Sequence, residues 1–466
     1  MTTKQWVHVG VLGLFMAAGL GIAQAQKKVV DPGVRAGTLG AGGPLKGLTP
    51  SEAAHFQDGQ TRFAEVESVT GGPNNGLGPR FNSNQCLSCH SQPAGGGSSP
   101  AANPLIAIAT LNGARNLVPW FITPRGPVRE ARFKRNSNGT PDGSVHALFV
   151  ISGRRDAVGC NIDQPTFVPA GNPLTGQGGN PNIVFRIPTP IFGAGLIEAI
   201  PDSEILSNMR ANAAVKSQMG IFGRPNAHLG GNVNLSANDG TITRFGWKAQ
   251  NKSLLLFAAE AYNVEMGITN QLFPQERDET SGCQLNATPE DALSFTPPAP
   301  GANPTAGISD IESFANFMRM LAPPDPAPVT SSTVSGSAAF ERAGCGQCHT
   351  PSMITARMVA SSSSGPSAAL SNQTVHLYSD LLLHHMGRGL ADGITQGSAG
   401  PDEFRTAPLW GVGQRIFFLH DGRTTNLLDA IDGHRSPGSE ANQVVDRFHK
   451  LKVKEQQDLI NFLRSL

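Results

Sequence analysis

The chain has 466 residues, room for two or three domains of about 150 residues each and for a sizeable buried core. Its 36 Lys and Arg against 35 Asp and Glu give a formal net charge of +1, which excludes a nucleic-acid or polyphosphate partner held by net charge. Charged residues reach only 15%, below the roughly 25% usual for soluble domains, while 54 Gly and 35 Pro predict long, turn-rich loops around compact cores.

At the N-terminus, Lys4 precedes a mostly apolar run from Val9 to Ala23 that ends in Ala23-Gln24-Ala25, the pattern of a secretory signal cleaved before Gln26. A membrane anchor would need about twenty apolar residues, and no later segment is long and apolar enough to span. Residues 1–25 are therefore expected to be a signal peptide. The mature chain is expected to be exported, without a membrane span, to a periplasm-like compartment where disulfides persist.

Two strings organise the rest: Cys86-Leu87-Ser88-Cys89-His90 and Cys345-Gly346-Gln347-Cys348-His349, each a C-x-x-C-H pattern of covalent c-type haem attachment. A four-cysteine zinc site is the rival, but the two pairs lie far beyond the roughly 15–20 residues that separate the pairs of a zinc ribbon. In such a string two thioether bonds hold the porphyrin and the next residue reaches the iron, which makes His90 and His349 proximal ligands of two covalently bound haems. Of the six cysteines, Cys160 and Cys283 remain, and an even remainder in an oxidising compartment predicts one disulfide.

The chain also repeats itself. Pro190-Ile191-Phe192-Gly193-Ala194-Gly195 is echoed by Pro408-Leu409-Trp410-Gly411-Val412-Gly413, and Asn316-Phe317-Met318-Arg319-Met320-Leu321 by Asn461-Phe462-Leu463-Arg464-Ser465-Leu466. A mainly α fold of two cytochrome c-like haem domains is expected, 26–330 and 331–466, joined near Pro323 to Pro328. The first should carry a large loop-rich insertion over about 93–240 with some β-structure, such as Val145 to Ser152. Between His90 and His146 there is no other histidine and no methionine. Unless His146, His228 or a distant methionine folds in, the first iron keeps an open face.

These strings, together with Arg244 to Gln250, Val264-Glu265-Met266-Gly267, Phe404 to Leu409, Leu419 to Arg423 and Leu427 to His434, resemble the bacterial di-haem cytochrome c peroxidases. They also resemble the methylamine-utilisation di-haem enzyme and the related di-haem oxidoreductases. The resemblance implies that His434 is the distal ligand of the C-terminal haem, with Met386, His384, His385 and His420 as rivals. It implies that Glu265 is the distal acid/base group, although the family's glutamine ten residues earlier is here Leu255. Trp247 falls near the tryptophan between the haems, as relay or as core. Thr406 and Pro408 match carbonyl ligands of an interdomain calcium, whose third ligand is replaced near Gly193.

The resulting expectation is a periplasmic di-haem oxidoreductase enzyme of the peroxidase kind. Its C-terminal haem transfers electrons, and its N-terminal haem binds hydrogen peroxide or another small oxidant. By analogy its electron donor is a small cytochrome or copper protein. Two other readings stand beside it: oxidative modification of an organic or protein substrate, and plain electron transfer with both irons blocked.

Overall fold

The computed structural model describes residues 1, 28–167, 182–227, 241–292, 303–361 and 365–466; nearly all of the expected signal peptide, and His228, lie outside the described residues. Helix makes up 31% and strand 12%, the strands lying in small sheets. The fold is therefore mixed, and the expected predominance of helix is not found. Gly and Pro are the reason, because each breaks regular hydrogen-bonding and shortens the elements between turns.

Four helices frame the two cysteine strings. Pro50–Phe63 starts on a reciprocal cap, in which Glu52 N–H donates to Thr49 Oγ1 (3.2 Å) and Thr49 N–H to Glu52 Oε2 (2.8 Å). It crosses Asp310–Met320, which Ser309 and Glu312 cap in the same way. In the second half, Ser331–Ala343 crosses Val453–Ser465. Both crossings need glycine: a Cβ on Gly59 would overlap the Ser313 carbonyl oxygen, and one on Gly336 that of Asp458.

The echoed strings make the same contacts in both halves. Gly195 lies against the Arg319 carbonyl and Gly413 against that of Arg464, with no room for a Cβ in either place. Gly193 N–H donates to Leu321 O (3.0 Å) as Gly411 N–H does to Leu466 O (2.8 Å). Phe63 packs on Phe317 at 5.0 Å between ring centres, and Phe340 on Phe462 at 5.6 Å.

The segment expected as an insertion holds an antiparallel three-stranded sheet in which Glu130–Phe133 lies between Val145–His146 and Ile183–Arg186, with Glu130 opposite Arg186. The strand-like stretch from Val145 splits, because Phe149–Val150 turns away to pair with Arg80–Phe81. Cys160 and Cys283 are joined by a disulfide. The halves are not separate cores: Leu377, Leu381 and Leu382 pack into the same apolar cluster as Phe56, Leu148 and Phe317, while Phe340, Phe418 and Phe462 form a second one. Among the described residues no helix is long and apolar enough to cross a membrane.

Gly336→Ala should lower unfolding free energy by about 1–3 kcal/mol in a denaturant titration, the usual cost of overpacking. Ser335→Ala, at the exposed neighbouring position, should change it by no more than about 0.5 kcal/mol. Equal effects of the two would contradict the close crossing.

Candidate active site

Each C-x-x-C-H string lines its own cavity. The first cavity encloses about 1230 Å³ of empty space, its mouth included, and is walled by Cys86, Cys89, His90, Glu130, Arg132, Trp247 and Glu265. The second encloses about 1450 Å³ and is walled by Cys345, Cys348, His349, Met386, His420 and His434. Because the two cysteine pairs sit in different cavities, they do not assemble the four-thiolate zinc site. Burial also pushes the thiols up, to about 11 for Cys89 and about 12 for Cys345, away from thiolate.

The two histidines are held alike. His90 N–H donates to Cys86 O (3.1 Å), and the His90 ring Nδ1 is bonded to Gly97 O (3.0 Å). His349 N–H donates to Cys345 O (2.9 Å), and its Nδ1 is bonded to Tyr378 O (3.0 Å). A carbonyl can only accept, so each Nδ1 carries the proton and each Nε2 keeps a lone pair for a metal. Burial pushes both imidazoles down to about 4, leaving them neutral, which is the ligating form.

In the wall of the second cavity, His434 ends the Leu427–Gly433 helix with Nδ1 bonded to Ala430 O (2.7 Å), again leaving Nε2. Its rivals fare differently. His384 has both nitrogens taken, by Glu440 (2.7 Å) and Asp380 (2.9 Å). His385 is exposed and bonded to Asp402, and does not line the cavity. His420 lines it but is stacked on Phe404 at 4.3 Å, and Met386 also lines it.

In the first cavity Glu265, near the end of Leu254–Met266, accepts from Asn82 Nδ2 (2.9 Å). Burial first, and then the charge of Glu130, push its carboxyl up to about 8, against the Asn82 hydrogen bond. Glu130 lies in the same wall as Glu265 and forms an ion pair with Arg132 (2.8 Å). Met266 and Met318 also line this space. His146 does not: it is bonded to Asp142 (2.9 Å) and packed on Phe133. Leu255 is not in the wall either, but Gln250 is, and it brings an amide to the cavity from another position. Sequence reasoning missed Glu130, Arg132, Asn82 and Gln250. The one available signal was the two-residue spacing of Glu130 and Arg132, which sets both on one face of a strand.

Trp247 is 8% exposed and lines both cavities, with Nε1–H donating to Ile187 O (3.0 Å). A third, smaller space beside it contains Pro408 and is lined by Arg244, Arg405 and Arg415 and by no carboxylate. The Thr406 carbonyl already accepts from Ser379 Oγ (2.6 Å) and Arg405 Nη1 (3.1 Å). Calcium does not fit the space beside Pro408, which is lined by three guanidiniums and no carboxylate, and the Thr406 carbonyl is already taken by two donors.

Haem does fit. Arg415 lines the second cavity with Nε and Nη2 buried and without a partner among the described residues, and Arg186 lines the first with Nε in the same state. Burial pushes Arg415 down to about 10. Arg186 is already paired with Asp392 through Nη2, whereas the buried Arg415 guanidinium has no ion-pair partner among the described residues and calls for an anion such as a porphyrin carboxylate.

Residues 180–466 match the family model described as "Di-haem oxidoreductase, putative peroxidase". The chain belongs to this di-haem oxidoreductase family. Membership makes it an enzyme of the oxidoreductase/peroxidase kind and implies two haems, in agreement with the two cavities. No curated protein sequence matches it.

Three solved structures are similar to parts of the chain. Hydrazine synthase from Kuenenia stuttgartiensis is 17% identical with a TM-score of 0.22, covering 35% of this chain; this chain spans 58% of its length. A MauG-like protein associated with microbial copper homeostasis is 17% identical with a TM-score of 0.27, covering 66% of this chain and 95% of its own. The diheme peroxidase BthA from Burkholderia thailandensis is 14% identical with a TM-score of 0.27, covering 72% and 91%.

A chelator such as EDTA should leave the haem spectrum and melting temperature of this di-haem oxidoreductase unchanged, and added calcium should release no binding heat. A melting temperature that falls on chelation and returns with calcium would contradict the reading of the Arg-lined space.

Proposed function

We propose that this di-haem oxidoreductase is a periplasmic hydrogen peroxide reductase that receives electrons at the His349 cavity and uses them at the His90 cavity. The observation that carries the reading is Glu265, a half-buried carboxyl that reaches the same cavity as His90 and is held there by Asn82. When bound, the two haems supply the electrons that take peroxide oxygen to the level of water.

The chain's own residues divide the work. Cys86, Cys89, Cys345 and Cys348 would hold the two porphyrins through thioethers, and His90 and His349 would be the ligands beside them. His434 would supply a second neutral imidazole at the C-terminal site, which suits electron transfer, while the N-terminal site would stay accessible to substrate. Glu265 exchanges protons with peroxide, and a carboxyl raised to about 8 does so near neutral pH, where a proton donor and acceptor is most effective. Trp247, in the wall of both cavities, is placed to carry electrons between them. Arg415 would take a porphyrin carboxylate.

The two haem domains divide near residue 330, and a signal peptide at 1–25 exports the chain. A small cytochrome or copper protein is the electron donor.

Glu265→Gln should slow the reaction with peroxide in stopped-flow mixing by about 10²–10⁴-fold, the usual contribution of one positioned proton-transfer group, with two haems retained per chain. A peroxide reaction that the substitution leaves unaltered would remove Glu265 from this role. A wild-type protein that ignores peroxide in both its oxidised and half-reduced forms would overturn the peroxidase reading itself.

A further inference from the structure

Glu265 does not act alone in its cavity. Glu130 opens the strand Glu130–Phe133, and its carboxyl and that of Glu265 line the same cavity and interact with each other. Two ionised carboxylates at close range repel and can only accept hydrogen bonds, so such a pair is favoured when it holds one proton between its members. The remaining contacts decide which one carries it. Arg132 Nε donates to Glu130 Oε1 (2.8 Å), and Arg186 stands opposite Glu130 in the sheet, so Glu130 has guanidiniums around it. Glu265 receives only the neutral amide of Asn82 (2.9 Å).

We propose that Glu130 and Glu265 work as a proton-sharing pair in the His90 cavity, with Glu130 the carboxylate held by Arg132 and Glu265 the carboxylic acid that exchanges its proton with substrate. The proposal rests on reading that cavity as the peroxide site and adds a second carboxylate to it. Glu265 gives its proton to the departing peroxide oxygen. The proton that peroxide releases is taken up by the pair, which ends with one proton, as it began. Glu130 is a positioning residue that acts through Glu265.

The electrostatics agree with the geometry. Burial works to raise Glu130, but Arg132 and Arg186 outweigh it and hold its carboxyl below the ordinary range. Burial and the Glu130 charge push Glu265 the other way. The other charged groups facing the pair are Arg277, which favours its single negative charge, and Glu260, which faces Arg132 and competes for it. Keeping one carboxyl neutral beside an ionised one is a general route to a proton donor at neutral pH.

The test is infrared difference spectroscopy of the oxidised holoprotein across pH, followed by the pH profile of the peroxide reaction. The unmodified protein should show one protonated carboxyl that titrates away near pH 8 and is absent in Glu265→Gln. In Glu130→Gln the adjacent charge is gone and an amide N–H can donate to Glu265. The Glu265 proton should then be held at least tenfold more weakly, moving both the infrared titration and the alkaline limb of the rate profile down by one pH unit or more.

Glu130→Asp, which keeps the charge, should leave both close to those of the unmodified protein. A Glu265 titration that Glu130→Gln does not move would overturn the pair. So would an unmodified protein with no protonated carboxyl at pH 7 that Glu265→Gln abolishes, and this comparison decides the matter even if Glu130→Gln does not fold. If peroxide fails to react with the unmodified protein, the peroxidase reading falls while the infrared titration still decides the pair.

Discussion

Each haem cavity depends on one helix crossing that closes only because a glycine lets two backbones touch. Gly59 brings Pro50–Phe63 against Asp310–Met320, and Gly336 brings Ser331–Ala343 against Val453–Ser465. The crossing places Phe63 edge-on to His90 at 6.0 Å and Phe340 beside His349 at 6.4 Å, so the packing that closes each helix pair also backs the ring that faces the cavity. A carbonyl on each Nδ1 then fixes which nitrogen faces inward. Fold and chemistry are joined at this point: loosening the crossing would loosen the imidazole.

A buried ionic cluster ties the two cavities together. Arg186 pairs with Asp392 at 2.6 Å, with side chains 2% and 0% exposed, and Lys248 reaches the same carboxylate at 3.1 Å while lying over the Phe404 ring. Arg186 comes from the strand beside Glu130, Lys248 follows Trp247, and Asp392 comes from the second half. Removing one partner would strand a buried charge, typically at a cost of about 3–5 kcal/mol. The cluster therefore sets where Trp247 stands between the cavities. The same halves share an apolar core, so the distance between the sites is fixed by packing as well as by charge.

What could be read in the sequence was local. The two C-x-x-C-H strings and the echoed segments carry their spacing with them, and the structure places each in matching contacts. Groups brought together from afar were not legible. Glu130 and Asn82 enter the first cavity from a strand and a loop, and nothing in their neighbours marks them as facing a cofactor; Gln250 ends the Arg244 to Gln250 string, which did not single out its amide. His146 stood out in the sequence as a candidate because histidine is scarce there, yet Asp142, four residues away, holds it elsewhere. The arginines beside Pro408 were not legible for a similar reason, since carbonyl ligands leave no side-chain signature and Arg244, Arg405 and Arg415 reach that space from different segments.

In the proposed function one chain builds two haem sites of opposite character, one that His434 would close and one left accessible beside Glu265. Electron spin resonance of the oxidised, purified holoprotein tests it most directly. The account predicts one high-spin and one low-spin ferric signal in equal amounts, with the low-spin signal lost or altered in His434→Gly. Two low-spin signals, or a low-spin signal that His434→Gly leaves unchanged, would contradict it.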